Sequence, residues 1–412
     1  MQNHIHSSSS SSCTAFSAIH VRHSEPVLVV PAKPIPKETK HVSDIDDQEG
    51  LRIHNYDIMF YKSNPRMKAK DPAKVIMEAI SMALVHYYPL AGDSIRPPCL
   101  SIWKQVLIHV PGSDIIIGCP LLLIQFLEMV ATIARDPQAL LIHLPVWQRH
   151  IFTARDPPRV TCNHPEYEDD TTNHNNEDQN HNDMAHESFF FGPKQIMALR
   201  KHLPSNLSKC STLELLAACL WKCRTIALDM NPNEVVSVSC FITAHGKIGI
   251  PKGYYGNAFA FPAAVSEAGT LCRKPLSYGV ELIREAKAKM KEEYIRSMVD
   301  FLVMKGRPMY RSSTGHLMVG DLTRVGFDEV DFGWGKAVYG GSMGARPLVS
   351  FLCNFRNGRG EDGIVAPILL PRLVMKRFLL ELLKITGDYQ ENKFHHHRLN
   401  DKMETDGRRS KL

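Results

Sequence analysis

The sequence is short of several things, and each shortage narrows the field. No apolar run reaches the length of a bilayer span, so no spanning segment is expected. Ten cysteines in 412 residues fall far below the density of a disulfide scaffold. They stand singly beside apolar residues, as Cys119, Cys219, Cys240 and Cys353 do, which is the pattern of free core thiols in a reducing compartment. An excess of one charge is also missing. Forty-nine basic against 43 acidic residues leave +6, compatible with small anionic ligands and no argument for nucleic acid. Residues 1–24 contain a serine run from Ser7 to Ser12 and four histidines (His4, His6, His20, His23) but no unbroken apolar stretch. A disordered leader over 1–25 is expected there, not a secretory signal. No HExxH or Walker A pattern occurs, which removes the commonest zinc-protease and P-loop readings.

What is present reads as a folded chain, 44% hydrophobic and 22% charged, long enough for one large or two ordinary domains. Residues 27–30 and 58–61 read as strands. Asp71 and Pro72 form a clean helix start, an N-cap acid followed by proline at N1, and Val75, Ile76, Ala79, Ile80 and Ala83 then make one apolar face. Residues 115–117 and 121–124 are strand-like and 126–134 read as helix. Between the last two there is almost no turn, although regular elements normally need a few connecting residues. Residues 163–187 hold four histidines, six asparagines and eight acidic residues, and neither lysine nor arginine occurs from Val160 through Pro193. A solvated linker is expected here, separating an N-terminal part (26–162) from a C-terminal part (188–386), with a frayed tail over 387–412 that includes His395 to His397.

The C-terminal part opens with Phe189, Phe190 and Phe191, a short strand. Ser211 to Glu214 is a capping box. Residues 235–244 form a β-branched strand, 277–299 one long amphipathic helix, 316–319 and 347–355 two further strands, and 372–385 a terminal helix. Without a regular βαβ beat, the fold class is mixed α/β (α+β).

Few side-chain groups stand out as chemistry. Cys219 and Cys223 are four apart around Trp221, but two thiols do not complete a metal site, so core packing is the better reading and no metal is expected. His174 to Asp178 matches the string HxxxD, yet it lies in the polar linker without flanking elements and carries no catalytic assignment. His86 and His143 are read as structural. Tyr254, Tyr255, Gly256 and Asn257 suggest a tight turn that presents Asn257. In Asp331, Phe332, Gly333, Trp334 and Gly335, two glycines let the backbone turn sharply around a buried indole. Asp331 is either catalytic or half of a loop-bracing pair with an arginine, and the second is favoured.

These stretches resemble the plant BAHD acyl-CoA-dependent acyltransferases, in particular the branch that acylates benzyl alcohol and other small alcohols. Besides the two motifs just named, the resemblance is carried by residues 31–34, 51–60, 71–75, 87–92, 147–159, 325–340 and 358–367. It implies two similar-sized chloramphenicol-acetyltransferase-like domains, each a mixed sheet with flanking helices, joined by a long crossover that coincides with 163–187. It also implies a channel at the domain interface, acyl-CoA as co-substrate with no bound cofactor, and a small-molecule alcohol as acceptor. A cytoplasmic monomer without nucleic-acid or membrane partners follows from the same likeness. The implied chemistry is general-base catalysis by the histidine of an HxxxD motif, with Asp331 to Gly335 structural and Tyr254 to Asn257 lining the channel turn.

The chain departs from that pattern in one decisive place. The strand resembling 121–125 and the helix resembling 126–134 are fused, so the HxxxD segment expected between Gln125 and Phe126 is absent, and no catalytic residue is assigned. A second gap follows Gly92. Thr243, Ala244, His245 and Gly246 stand where the resemblance implies Asn-Ala-Arg-Gly, which leaves Asp331 without its implied arginine. A positioned general base contributes roughly 10²–10⁴-fold in rate. The expected activity is therefore impaired, and the alternative is an inactive relative that binds CoA, a ligand or a partner.

Overall fold

The computed structural model describes residues 27–48, 51, 57–91, 120–141, 144–167, 183–308 and 313–387. Ten strands occur among them: β1 (Asp57–Phe60), β2 (Met184–Phe191), β3 (Val235–Cys240), β4 (Ile242–Thr243), β5 (Phe259–Ala260), β6 (Ala263–Glu267), β7 (His316–Asp321), β8 (Tyr339–Ser342), β9 (Val349–Arg356) and β10 (Asp362–Pro371). The α-helices are α1 (Pro72–His86), α2 (Pro120–Arg135), α3 (Pro193–Arg200), α4 (Thr212–Leu228), α5 (Ala268–Arg273), α6 (Leu276–Ala288), α7 (Glu292–Met304) and α8 (Arg372–Thr386).

A six-stranded mixed sheet in the order β2-β10-β9-β7-β3-β6 is the frame. Its centre, β3, β7 and β9, is parallel, and the flanking pairs are antiparallel. Central parallel strands must be covered on both faces. One face packs on α4, α6 and α8 through Leu216, Leu220, Val280, Ile283 and Phe378, all essentially buried. The other face takes Ile295, Met298 and Leu302 of α7 together with Phe152 from the N-terminal part and Tyr167 from the stretch that follows it. A third cluster joins α1 to α2, where Ala79 and Ala83 allow close approach to Met129, Val130 and Ile133.

Local rules set the helix ends. The Asp71 carboxylate accepts from the Ala73 amide at 3.0 Å, ahead of Pro72. Ser211 Oγ accepts from the Glu214 amide at 3.2 Å, and Glu214 returns a bond to the Ser211 amide at 2.9 Å, completing the capping box of α4.

Several expectations are corrected. Residues 27–30 are not a strand: Pro26 and Pro31 bracket them, and the segment is tied to α1 by Ser81, whose Oγ donates to the Val30 carbonyl at 2.6 Å. The expected helix 277–299 is two helices, α6 and α7, divided at Lys289–Lys291. Lys287 and Lys289 close the first, and Glu292 and Glu293 open the second, so each charge sits at the dipole end that favours it. Residues 121–124 are not a strand. With no turn residue at the seam, the leucine-rich run continues the helix upstream as α2. The polar stretch 163–187 is packed at both described ends, His164, Glu166 and Tyr167 being buried and residues 184–187 belonging to β2. Before residue 168 the only described strand is β1, and it pairs with β8 of the C-terminal part instead of with a sheet of its own. Residues 1–26, 115–117, 388–412, His143 and the string from His174 to Asp178 lie outside the described residues.

Candidate functional site

The Tyr254–Asn257 motif is a hub. The strand-like segment at Val146 runs parallel to Tyr254, with the Val146 amide bonded to the Gly253 carbonyl at 2.8 Å. Gly253 has φ +83, which a side chain rarely tolerates. The Tyr255 ring meets Tyr87 at 5.0 Å and Trp147 at 5.6 Å, both edge-on. Arg149 completes the hub. Its guanidinium lies 4.3 Å over the Trp147 ring, 5.2 Å from Tyr254 and 5.1 Å from Tyr255. Nη2 donates to the Tyr255 carbonyl at 3.0 Å, and Nε lies 3.1 Å from Asp46 Oδ2, both side chains being almost fully buried. Asp46 Oδ1 in turn accepts from the Asn257 amide at 2.9 Å. A Cβ on Gly256 would overlap Arg149 Nη1, so a larger residue there would displace the guanidinium. Three of the stretches that carry the resemblance, around Tyr87, Trp147 and Tyr254, therefore meet in one place. Asn257 is not presented at a turn tip: it is 1% exposed, and its side-chain nitrogen and oxygen have no hydrogen-bond partner.

The Asp331–Gly335 loop meets the C-terminal end of α2 at Arg135. Asp331 Oδ1 accepts from the amides of Gly333 and Gly335 at 2.7 and 2.8 Å, with both glycines at positive φ. The expected arginine does not meet the carboxylate; Arg135 donates instead to the Asp331 carbonyl at 2.7 Å. Bracing by backbone amides explains why the loop stands although His245 is exposed and engaged with Thr243. The buried aromatic is Phe332, edge-on to Tyr61 at 5.8 Å, whereas Trp334 is only half-buried, which corrects the expected buried indole. Tyr61 donates to the Val330 carbonyl and Asn64 to that of Gly333, so the loop is fastened to the N-terminal part.

Two acid groups were missed by sequence reasoning. His164 Nδ1 lies 3.2 Å from Glu166 and Nε2 lies 3.0 Å from Ser297 Oγ, a serine–histidine–carboxylate line in form. It is sealed, since His164, Glu166 and Ser297 are buried, and the serine oxygen already accepts from the Thr161 and Cys162 amides. It anchors residues 161–167 on α7. Asp57 is the second. It opens β1 opposite Ser342, its Oδ2 is buried without a hydrogen-bond partner, and burial pushes its carboxyl up to about 6. The one signal in the sequence was an aspartate in a strand otherwise apolar, Ile58, Met59 and Phe60.

At the seam, α2 is continuous through Gln125, whose side-chain amide donates to the Tyr254 carbonyl at 3.0 Å. Cys219, Cys223, Cys240 and Cys353 are buried thiols. Among the described residues no three histidine, cysteine or acidic side chains are grouped as a metal site would need, and no helix is long and apolar enough to cross a membrane.

The family model described as "Transferase family" matches residues 19–98 and 122–382. The chain belongs to this family, the plant BAHD acyl-CoA-dependent acyltransferases. Among relatives in the alcohol acyltransferase branch, it is 45% identical to "Alcohol acyl transferase 1 allele GSa" of Malus domestica, over 91% of this chain and 96% of that one. It is 44% identical to "Alcohol acyltransferase 1" of Actinidia deliciosa, over 91% and 95%. The apple alignment spans 443 positions, more than the 412 residues of this BAHD chain, so the relative has positions that face gaps here. Vinorine synthase shares the fold at TM-score 0.60 and 18% identity, covering 87% of this chain and 97% of that structure. F. graminearum TRI101 complexed with coenzyme A and deoxynivalenol does so at 0.57 and 13%, covering 82% and 96%.

Proposed function

We propose that this BAHD member is an acyl-CoA-dependent O-acyltransferase that esterifies a small alcohol such as benzyl alcohol with a benzoyl or acetyl group, at a rate reduced by loss of the HxxxD segment. The observation that carries the reading is the meeting of the Tyr87, Trp147 and Tyr254 stretches in one buried junction, which keeps the N-terminal part docked on the six-stranded sheet. Relatives named alcohol acyl transferases at 44–45% identity support the acceptor class. Coenzyme A in the TRI101 complex supports acyl-CoA as the co-substrate. The alignment with the apple relative, longer than this chain, supports the loss of internal residues. In this reading the chain is a cytoplasmic monomer of two acyltransferase domains, 26–162 and 188–386, with the Asp331–Gly335 loop structural and Tyr254 to Asn257 beside the channel.

The uninterrupted α2 favours one second reading, a relative that binds acyl-CoA without turning it over. Titration calorimetry with benzoyl-CoA and ester detection with benzyl alcohol divide the two. Binding with slow ester formation is expected. Binding without ester above the uncatalysed rate selects the second reading, and no binding removes both.

A further inference from the structure

The reaction proposed above needs a proton acceptor beside the alcohol, and three of the described histidines are committed elsewhere. His164 has both ring nitrogens engaged in a sealed cluster. His186 Nε2 accepts from the Ala345 amide at 2.7 Å, and His202 Nε2 lies 2.9 Å from the Ile385 carbonyl. Asp57 has a buried carboxylate oxygen without a hydrogen-bond partner. Asp57 stands on β1 at the join with β8, where the N-terminal part meets the C-terminal part. Its cross-strand neighbour Ser342 turns away, donating its hydroxyl to the Gly344 carbonyl at 2.9 Å. Asp57 Oδ2 is left buried with no donor, in a residue that is itself only half-buried. An unpartnered buried carboxylate oxygen is costly to keep, and such groups cluster where function requires them.

We propose that Asp57 is the general base of this chain, its Oδ2 taking the proton of the acceptor alcohol. The inference rests on the acyltransferase reading above. As the alcohol O–H proton passes to Asp57, the alcohol oxygen forms a bond to the thioester carbonyl carbon. The tetrahedral intermediate then breaks its C–S bond, and the proton on Asp57 goes to the departing thiolate. Ester and free CoA result, with the carboxylate regenerated, so no further reactant is needed.

The surroundings suit the role. Tyr339 of β8 and Cys353 of β9 both feel the charge of Asp57, and Cys353 also feels that of Asp321 of β7. Burial holds the Tyr339 hydroxyl well above its ordinary range and pushes the Cys353 thiol up to about 11, so both are neutral near pH 7. No cation among them holds Asp57 in its ionised form. Burial alone raises its carboxyl to about 6, close to the working pH at which a general base is most effective. The space is also tight: a Cβ on Gly341 would lie 2.6 Å from Cys353 Sγ.

The test uses the full chain with benzoyl-CoA and benzyl alcohol across roughly pH 5 to 9, where a carboxylate base and its loss are both visible. Wild type is expected to show kcat/KM rising through one inflection near the Asp57 value of about 6. Asp57→Asn should lower kcat by about 100-fold or more, the range of a positioned base, and abolish that limb, with the KM for benzoyl-CoA unchanged. Asp57→Glu, which keeps a carboxylate, should retain measurable turnover and the limb, and this guards against a folding defect in the first variant. Equal rates in wild type and Asp57→Asn overturn the assignment, as does equal loss in both variants. Wild type that binds benzoyl-CoA but makes no ester overturns the base and leaves the binding reading standing. Wild type that does not bind benzoyl-CoA overturns the acyltransferase reading and Asp57 with it.

Discussion

Residues 183–387 and residues 27–167 are held in shape by different means. The C-terminal part contains a complete six-stranded sheet, its own helices on one face and α7 on the other, so most of its backbone bonds close within it. The described N-terminal part contributes one strand and two helices, and it borrows the rest. β1 is paired by β8, Arg149 is caged by Tyr254 and Tyr255, Arg155 is fixed by Asp300, and Asp44 is met by Arg307. A region that must borrow its partners is kept in place by a few buried polar and aromatic contacts instead of by a hydrophobic core of its own size. The strength of those contacts decides whether the junction around Tyr255 exists at all.

The sharpest way to break that contrast is Arg149→Ala. It leaves Asp46 buried beside an empty cage, and removing one partner of a buried ion pair costs about 3–5 kcal/mol. Amide exchange should quicken over 41–48 and 146–152 while β3, β7 and β9 stay protected. Equal loss of protection in the sheet would mean the two regions unfold as one unit.

A second, smaller effect has the opposite sign. Asp57 is raised from an ordinary 3.8 to about 6 in the folded chain, so the native state holds its proton where the unfolded state has released it. Its contribution to stability is present below pH 4 and is lost as pH rises through about 6. Asp57→Asn should therefore match wild type in thermal melts at low pH and exceed it above pH 6, by on the order of 2 kcal/mol. A parallel pair of melting curves across that window would show that the carboxylate carries no burial cost.

The smallest change is expected from Arg307→Ala. Its pairs with Asp44 and Asp47 also cross between the two parts, but the arginine is 36% exposed, and such pairs are worth about 0.2–1 kcal/mol. Urea titration resolves whether this contact is as weak as its exposure implies. A loss rivalling that of Arg149→Ala would place the anchorage at the rim instead of at the buried cage.

Where a local rule governed, the sequence was readable. The cap at Asp71, the box at Ser211 and Glu214, and the positive φ at Gly333 and Gly335 each depend on residues within a few positions of one another. Where distance governed, it was not. Asp46 meets the Asn257 amide across 211 positions, and Arg149 reaches Tyr255 across 106, with no periodicity to announce either. The strand expected at 27–30 failed because β-propensity needs a neighbouring strand to act on. The seam at Gln125 was legible as a missing turn, but not as a single helix, since a leucine run suits either state. Trp334 was expected to be the buried ring because the glycines on either side let the backbone turn around it, yet the backbone turns Phe332 inward.

The pairing of β1 with β8 has a consequence for how this gene could be handled. Contacts from residues before 168 to residues after 182 include a strand pair, a half-buried ion pair and an aromatic cage, and none of them depends on the peptide connection between the two parts. Two polypeptides divided in that interval, made separately in one cell, have the complementary surfaces to find each other and reassemble without a covalent bond. A reporter built on such halves would read out the integrity of the junction directly, independent of whether any ester is made.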